Sequence, residues 1–126
     1  MLTQTIFPDT DQAVRSASSP DAMPEGVKNA ELSAVKVAEA GHPQEAVKIL
    51  SDAIENFPER GSLRNNRAQA YRMLGDADAA RLDLDHAITM ETAWISTHED
   101  GTNGADWKSH KHVLQQAYTQ RAILNQ

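Results

Sequence analysis

The sequence predicts an all-α protein, in which helix-turn-helix repeats stack as a short right-handed α-solenoid of two full repeats plus a long fifth helix. Two observations lead to this prediction. An offset of about 34 residues brings small and apolar positions into register, so that Gly41 aligns with Gly75 and Leu50 with Leu84. Within each copy, apolar residues recur at the spacing of one helix face. A hairpin of this kind buries its apolar face only by stacking on a neighbour.

The first repeat is expected at 27–60. Its first helix, over 27–40, carries an apolar stripe that ends at Gly41. Pro43 then suits the first turn of a second helix, because its missing N–H is not needed there. Pro58 stops that second helix.

The second repeat is expected at 61–94, with helices at about 62–74 and 77–90. Ser62 is a candidate N-cap for the first of these helices, and Gly75 supplies the turn between them. The pattern places Asp83 and Asp85 on the solvent side of the second helix.

A polar loop is predicted over 95–106, because this run contains Asn103-Gly104, a dipeptide that favours a turn. Helical spacing resumes over 107–126, which we interpret as the first helix of an incomplete third repeat. We expect the chain to be a fragment, an engineered form or a shorter natural form of a longer repeat protein. Two roles are open for this helix. It either caps the array or leaves an apolar face for homo-oligomer formation, through Val113, Ala117, Ile123 and Leu124.

Residues 1–26 are expected to form a flexible or loosely docked N-terminal arm, because they carry three prolines and no helical apolar period. Leu2, Ile6 and Phe7 are the large apolar residues before Pro8. They form either part of a disordered start or a short apolar hook that docks on the repeats.

Composition narrows the classes of function. The net charge of −6 argues against nucleic-acid binding, since no basic excess neutralises phosphates. The absence of cysteine excludes disulfides, thiolate zinc sites and cysteine nucleophiles. No stretch resembles a signal peptide or approaches the roughly 20 apolar residues of a membrane span. We expect a cytoplasmic or nuclear protein with protein partners and no membrane association.

Both repeats resemble tetratricopeptide (TPR) units. The second repeat matches the family signature best, at Asn66, Ala68, Tyr71, Gly75, Ala80 and Ala87. Three stretches, IFPDT, PERGSLRNNRAQAYRMLGDADAARLDLDHAI and QAYTQRAIL, also resemble TPR proteins of an Hsp70-binding type. The resemblance implies a non-catalytic adaptor that binds an extended peptide in a groove formed by the first helix of each repeat. That row would comprise Lys28, Glu31, Val35, Glu39, Ser62, Asn65, Asn66, Gln69, Arg72, Gln116, Thr119, Gln120 and Ile123.

Chaperone-binding members of the family hold a terminal carboxylate with five Lys, Asn and Arg residues. The resemblance maps these five positions onto Glu31, Val35, Asn66, Gln116 and Gln120, of which only Asn66 matches. Because Glu31 would repel a carboxylate, we expect any Hsp70 binding to use other surfaces. Asn66 itself either contacts a ligand in the groove or forms a hydrogen bond across the packed helices.

We find no pattern of a catalytic site, and we expect no metal or cofactor. No nucleophile stands beside a histidine and an acid, and no glycine-rich phosphate loop is present. His98, His110 and His112 suggest a metal site at first sight. However, His110 and His112 lie two apart on the fifth helix and diverge by about 200°, so they cannot share one ion.

Overall fold

The computed structural model describes residues 24–98 and 104–125. These residues form five helices, which confirms the predicted all-α fold. In chain order the helices are α1 (Glu25–Glu39), α2 (Pro43–Asn56), α3 (Gly61–Met73), α4 (Ala77–Thr97) and α5 (Gly104–Leu124). None of these helices is both long enough and apolar enough to cross a membrane.

The α1–α2 and α3–α4 hairpins turn in the same way, as the repeat predicts. Gly41 and Gly75 have φ of 96° and 79°, in the left-handed region that glycine adopts without strain. The residue after each glycine donates its backbone N–H five residues back, from His42 to Val37 at 2.8 Å in the first hairpin. In the second hairpin Asp76 bonds Tyr71 at 2.9 Å. Both turns therefore satisfy the last carbonyls of their helix in a Schellman motif.

Small and aliphatic side chains fill the core in two layers, and α3 contributes to both. The first layer lies among α1, α2 and α3 and is built around Val27, Leu50 and Leu63. The second lies among α3, α4 and α5 and consists largely of alanine, which lets the helices approach closely. Its buried members are Ala68, Ala80, Leu84, Ala87 and Ala117.

Helix α4 is seven residues longer than the sequence pattern predicts, and α5 begins three residues earlier than predicted. It continues past Met90 to Thr97, and α5 begins at Gly104, so the predicted loop over 95–106 is too long. The extension is held by α5. Trp94 stacks on His110 with ring centroids 3.7 Å apart, and Glu91 bonds the same histidine.

Asp83 is not on the solvent side of α4, as the pattern suggested, but 97% buried. Arg67 of α3 reaches over it and donates two hydrogen bonds of 2.7 Å to its carboxylate. The prediction for Asp83 is wrong because a single helix pattern does not show that a cation from the next helix will cover the acid. Asp85 is half-buried and pairs with Arg121 of α5 at 2.9 Å.

Helix α5 buries most of the face that we considered for self-association. Ala117 is fully buried in the second core layer, and Leu124 packs against the same layer. Val113 is half-buried beside α3, and Ile123 alone of the four is exposed. The face is covered because α5 lies against both α3 and α4, and these helices use the same apolar residues that a second chain would need.

The predicted N-terminal arm lies outside the described residues up to position 23. Helix α1 begins at Glu25, two residues before the predicted start of the first repeat. The apolar hook of Leu2, Ile6 and Phe7 is therefore not described by the structure.

Candidate functional site: the groove of α1, α3 and α5

The first helices of the two repeats, α1 and α3, lie side by side, and α5 continues the row. Two adjoining depressions run along this surface. An open crevice of about 130 Å³ lies between α1 and α3 and has a mainly apolar lining that includes Val35, Ala38 and Met73. A polar cleft lies between α3 and α5 and is lined by the side chains of both helices, among them Gln69 and Gln116. We call the two together the groove.

Asn66 joins α3 to α1 at the floor of the groove. Its Nδ2 donates a 2.9 Å hydrogen bond to Oε2 of Glu31. Ser62 also donates to this carboxylate, and burial raises the pKa of Glu31 although both bonds and nearby Arg60 act in the opposite direction. The one clamp residue that matches the chaperone-binding pattern is thus bonded to an acid of its own chain.

Asn65 joins α3 to α5 and is only 3% exposed. Its Nδ2 donates to the backbone carbonyl of Val113 at 2.8 Å, and the backbone carbonyl of Asn65 accepts from Nε2 of Gln120 at 3.2 Å. Gln120 in turn accepts a 3.3 Å bond from Arg72. Asn65 is therefore a structural bridge beneath the groove, whereas the sequence pattern placed it in the ligand-facing row.

Other residues of the predicted row remain accessible. Gln69 and Gln116 are exposed and line the groove from α3 and α5. Each carries a side-chain amide that offers both a donor and an acceptor. Lys28 is exposed on α1, and Arg72 is half-buried near the polar cleft. The middle of the groove is thus suited to hydrogen bonding with a peptide backbone.

Exposed apolar side chains flank these amides, one from each helix of the row. Val35 on α1 is 45% exposed, Met73 on α3 is 54% exposed and Ile123 on α5 is 44% exposed. Val35 and Met73 line the apolar crevice, and Ile123 lines the polar cleft. The groove therefore combines apolar contacts with side-chain amides, and its central helix α3 carries one of each.

A second polar cluster lies away from the groove, where α4 meets α5. Trp94 is sandwiched between His98 and His110, at centroid distances of 3.9 Å and 3.7 Å. Glu91 is buried and bonds Nδ1 of His110. The indole keeps the two imidazoles on opposite faces, so they cannot share one metal ion.

His112 lies elsewhere, exposed at the groove. Within 24–98 and 104–125 no three His, Cys, Asp or Glu residues are grouped to hold a metal ion. No sequence signal indicated the Glu91–His110 contact, because its partners are 19 residues apart and on different helices.

Curated proteins from several animals match part of this chain. The zebrafish protein (Danio rerio) is 45% identical over 64 residues, which are 51% of this chain and 34% of the relative. The mouse protein (Mus musculus) is 44% identical over 71 residues, 56% of this chain and 38% of the relative, and the human protein gives the same values. All three are named tetratricopeptide repeat protein 36.

The chain resembles tetratricopeptide repeat protein 36. The matched stretch spans little more than a third of these relatives' own length. No protein-family model and no solved structure matches the chain. The helical hairpins agree with a TPR-type protein, and similarity to tetratricopeptide repeat protein 36 supports a role in protein interaction.

Proposed function

We propose that this chain is a non-catalytic adaptor that binds an extended protein segment in the groove of α1, α3 and α5. The observation that carries the proposal is the arrangement of the exposed side chains: Val35, Met73 and Ile123 offer apolar contacts around the amides of Gln69 and Gln116. Apolar pockets with a few placed polar groups are typical of binding sites. An extended segment presents alternate side chains to such pockets and its backbone to the amides.

The segment is recognised along its length and not by its terminal carboxylate. Glu31 occupies a clamp position, and its carboxylate already accepts from Asn66. A second carboxylate at this point would face repulsion in a partly desolvated site. The partner therefore carries apolar residues separated by uncharged polar residues.

A display library of linear dodecapeptides, selected on the immobilised full chain, tests this function. We expect enrichment of binding sequences on the wild type and at least a tenfold weaker affinity for Val35→Asp, by roughly 1.4 kcal/mol. Leu82→Asp is the matched control, because Leu82 is also an exposed apolar residue but lies on α4, outside the groove lining. No enrichment, or equal affinity for the Val35 variant, would contradict the proposal.

An association with Hsp70 is proposed from the resemblance in the three matching stretches. With the clamp positions occupied by Glu31, Val35, Gln116 and Gln120, such binding would not use the chaperone's terminal carboxylate. Deleting the C-terminal tetrapeptide of Hsp70 should leave its affinity for this chain unchanged in a titration. A loss of binding on deletion would show that a clamp operates.

Self-assembly through α5 is the weaker alternative. Ala117 and Leu124 pack within the chain, which leaves Ile123 as the exposed residue of that set. We therefore expect light scattering to give the same molar mass across a concentration series. A rising mass would favour the assembly function.

A further inference from the structure

The apolar and polar side chains that line the groove follow a succession that can be compared with segments of the chain's own sequence. Val35 and Ile123 expose apolar side chains on the two outer helices, α1 and α5. Between them, the middle helix α3 exposes the amide of Gln69 and the apolar side chain of Met73, and α5 adds the amide of Gln116. A segment that fits this order has an apolar residue at each end and uncharged hydrogen-bonding residues in the middle.

The distance across the groove sets the length of that segment. Packed helices lie about 8–10 Å apart between axes, so two steps from α1 through α3 to α5 cover roughly 16–20 Å. An extended backbone rises about 3.3 Å per residue, so five steps cover roughly 17 Å. The two apolar residues should therefore be separated by about five positions.

Residues 2–7 have this composition and length. The segment reads LTQTIF, with Leu2 at one end, Ile6 and Phe7 at the other, and no charge between them. Thr3, Gln4 and Thr5 carry the hydroxyl and amide groups that bond side-chain amides. From Leu2 to Phe7 there are five steps.

The tether permits binding within one chain. Sixteen residues, 8–23, separate this segment from Pro24, and α1 is itself one wall of the groove. Sixteen residues can extend to roughly 50 Å, which exceeds the span of the three helices. Tethering also raises the effective concentration of the segment at the groove.

We propose that residues 2–7 occupy the groove of their own chain, with Leu2 and the Ile6-Phe7 pair at the apolar contacts of the outer helices. The inference rests on the proposed function, because it assumes that the groove accepts an extended segment. Its consequence is competition. A partner must displace the segment, so the groove's apparent affinity equals its intrinsic affinity multiplied by the fraction of molecules in which the groove is free.

Spin labelling of the full chain tests this occupancy directly. The chain has no cysteine, so Gln4→Cys provides a unique site for a nitroxide. We expect the label to broaden the NMR signals of the Val35 and Ile123 methyl groups and the Gln69 amide, with the Leu82 methyl groups as an unaffected reference. Chemical reduction of the nitroxide should restore all the signals.

Substitutions within the segment distinguish its binding in the groove from random encounters of the labelled arm with the groove. In the labelled chain, Ile6→Ser with Phe7→Ser should abolish the broadening, whereas Val14→Ser, in the same arm, should preserve it. No broadening, or broadening that survives the double change, would overturn the inference. A mixture of labelled chain with isotope-enriched unlabelled chain should show none, since broadening there would mean that a second copy supplies the segment.

The dodecapeptides selected on the full chain distinguish this inference from the proposed function. Ile6→Ser with Phe7→Ser should tighten their binding about threefold if the segment covers the groove in two thirds of molecules. If peptides bind the wild type but broadening is absent, the occupancy is wrong and the groove function stands. If neither is observed, both are wrong.

Discussion

Arg67 and Asp83 form a two-bond ion pair that connects α3 to α4 beneath the second repeat. Nε and Nη2 of Arg67 each lie 2.7 Å from a different oxygen of Asp83, and Nη1 donates to Ser51 of α2 at 2.9 Å. The hydrogen bonds to Asp83 raise the pKa of Arg67 above its ordinary value, although burial acts in the opposite direction. One guanidinium thus joins three helices in a fork geometry that lysine could not reproduce.

Removing one partner of this pair should destabilise the fold strongly. Asp83→Asn leaves the arginine charge without its counter-ion in a largely buried setting, and we expect a loss of about 3 kcal/mol in the free energy of unfolding. Urea denaturation monitored by circular dichroism measures this loss.

Two controls separate the buried pair from a general charge effect. Asp78→Asn, which affects a fully exposed carboxylate 3.6 Å from Arg81, should leave the urea midpoint unchanged. Arg67→Met with Asp83→Leu should recover much of the lost stability, because apolar residues of similar size can replace a buried pair. Equal effects of the Asp83 and Asp78 changes would contradict this account.

The repeat offset and helical spacing were enough to predict the five helices, because alanine stripes and turn glycines are local signals. Contacts between helices are not local. Asp83 reads as solvent-facing on α4 alone, and Arg67, 16 residues earlier, reverses this assignment. The extension of α4 past Met90 depends in the same way on His110 and its contacts with Trp94 and Glu91.

In the candidate site, too, the sequence predicts what depends on one helix and not what depends on its neighbours. The side on which Gln69 and Val35 lie follows from the helix period, and both are exposed in the groove. Adjacent Asn65 and Asn66 share that row in the sequence, yet one bonds α5 and the other bonds α1. The distinction depends on where the neighbouring helices lie, which the period does not give.

Glu31 should make the free energy of unfolding fall as the pH rises from about 4.5 to the raised pKa of this residue. Burial raises its folded-state pKa above the ordinary value of 4.5, so the folded chain binds more protons than the unfolded chain between pH 4.5 and the raised pKa. The free energy of unfolding therefore decreases with rising pH across that interval. At higher pH the whole of this loss remains.

Glu31→Gln removes this dependence while keeping an oxygen that accepts from Asn66. Relative to wild type, the variant should be more stable at about pH 7 than at about pH 4, as measured by urea unfolding at both values. Glu39→Gln, on an exposed side chain of the same helix, provides the baseline. A relative stability of the Glu31 variant that falls with rising pH would reverse the assigned sign.

Gly61 gives Glu91 room at the start of α3. A Cβ at this position would lie 2.5 Å from Oε1 of Glu91, so Gly61→Ala should destabilise the chain by about 1–2 kcal/mol despite the better helix propensity of alanine. A double-mutant cycle with Glu91→Ala checks the cause. The cost of the glycine change should shrink when the carboxylate is absent, and an undiminished cost would place the strain elsewhere.

Asn65→Ala should loosen α5 while leaving the first hairpin intact. The change removes the 2.8 Å bond to the Val113 carbonyl, a part-buried contact between α3 and α5, and we expect a loss of about 1 kcal/mol. Hydrogen exchange should accelerate in α5 but not in α1 or α2, whose core lies on the other side of α3. Gln69→Ala, an exposed change on the same helix, should leave exchange in α5 unaltered. Equal exchange rates in the Asn65 variant and the wild type would show that apolar packing around Ala117 holds α5 without this bridge.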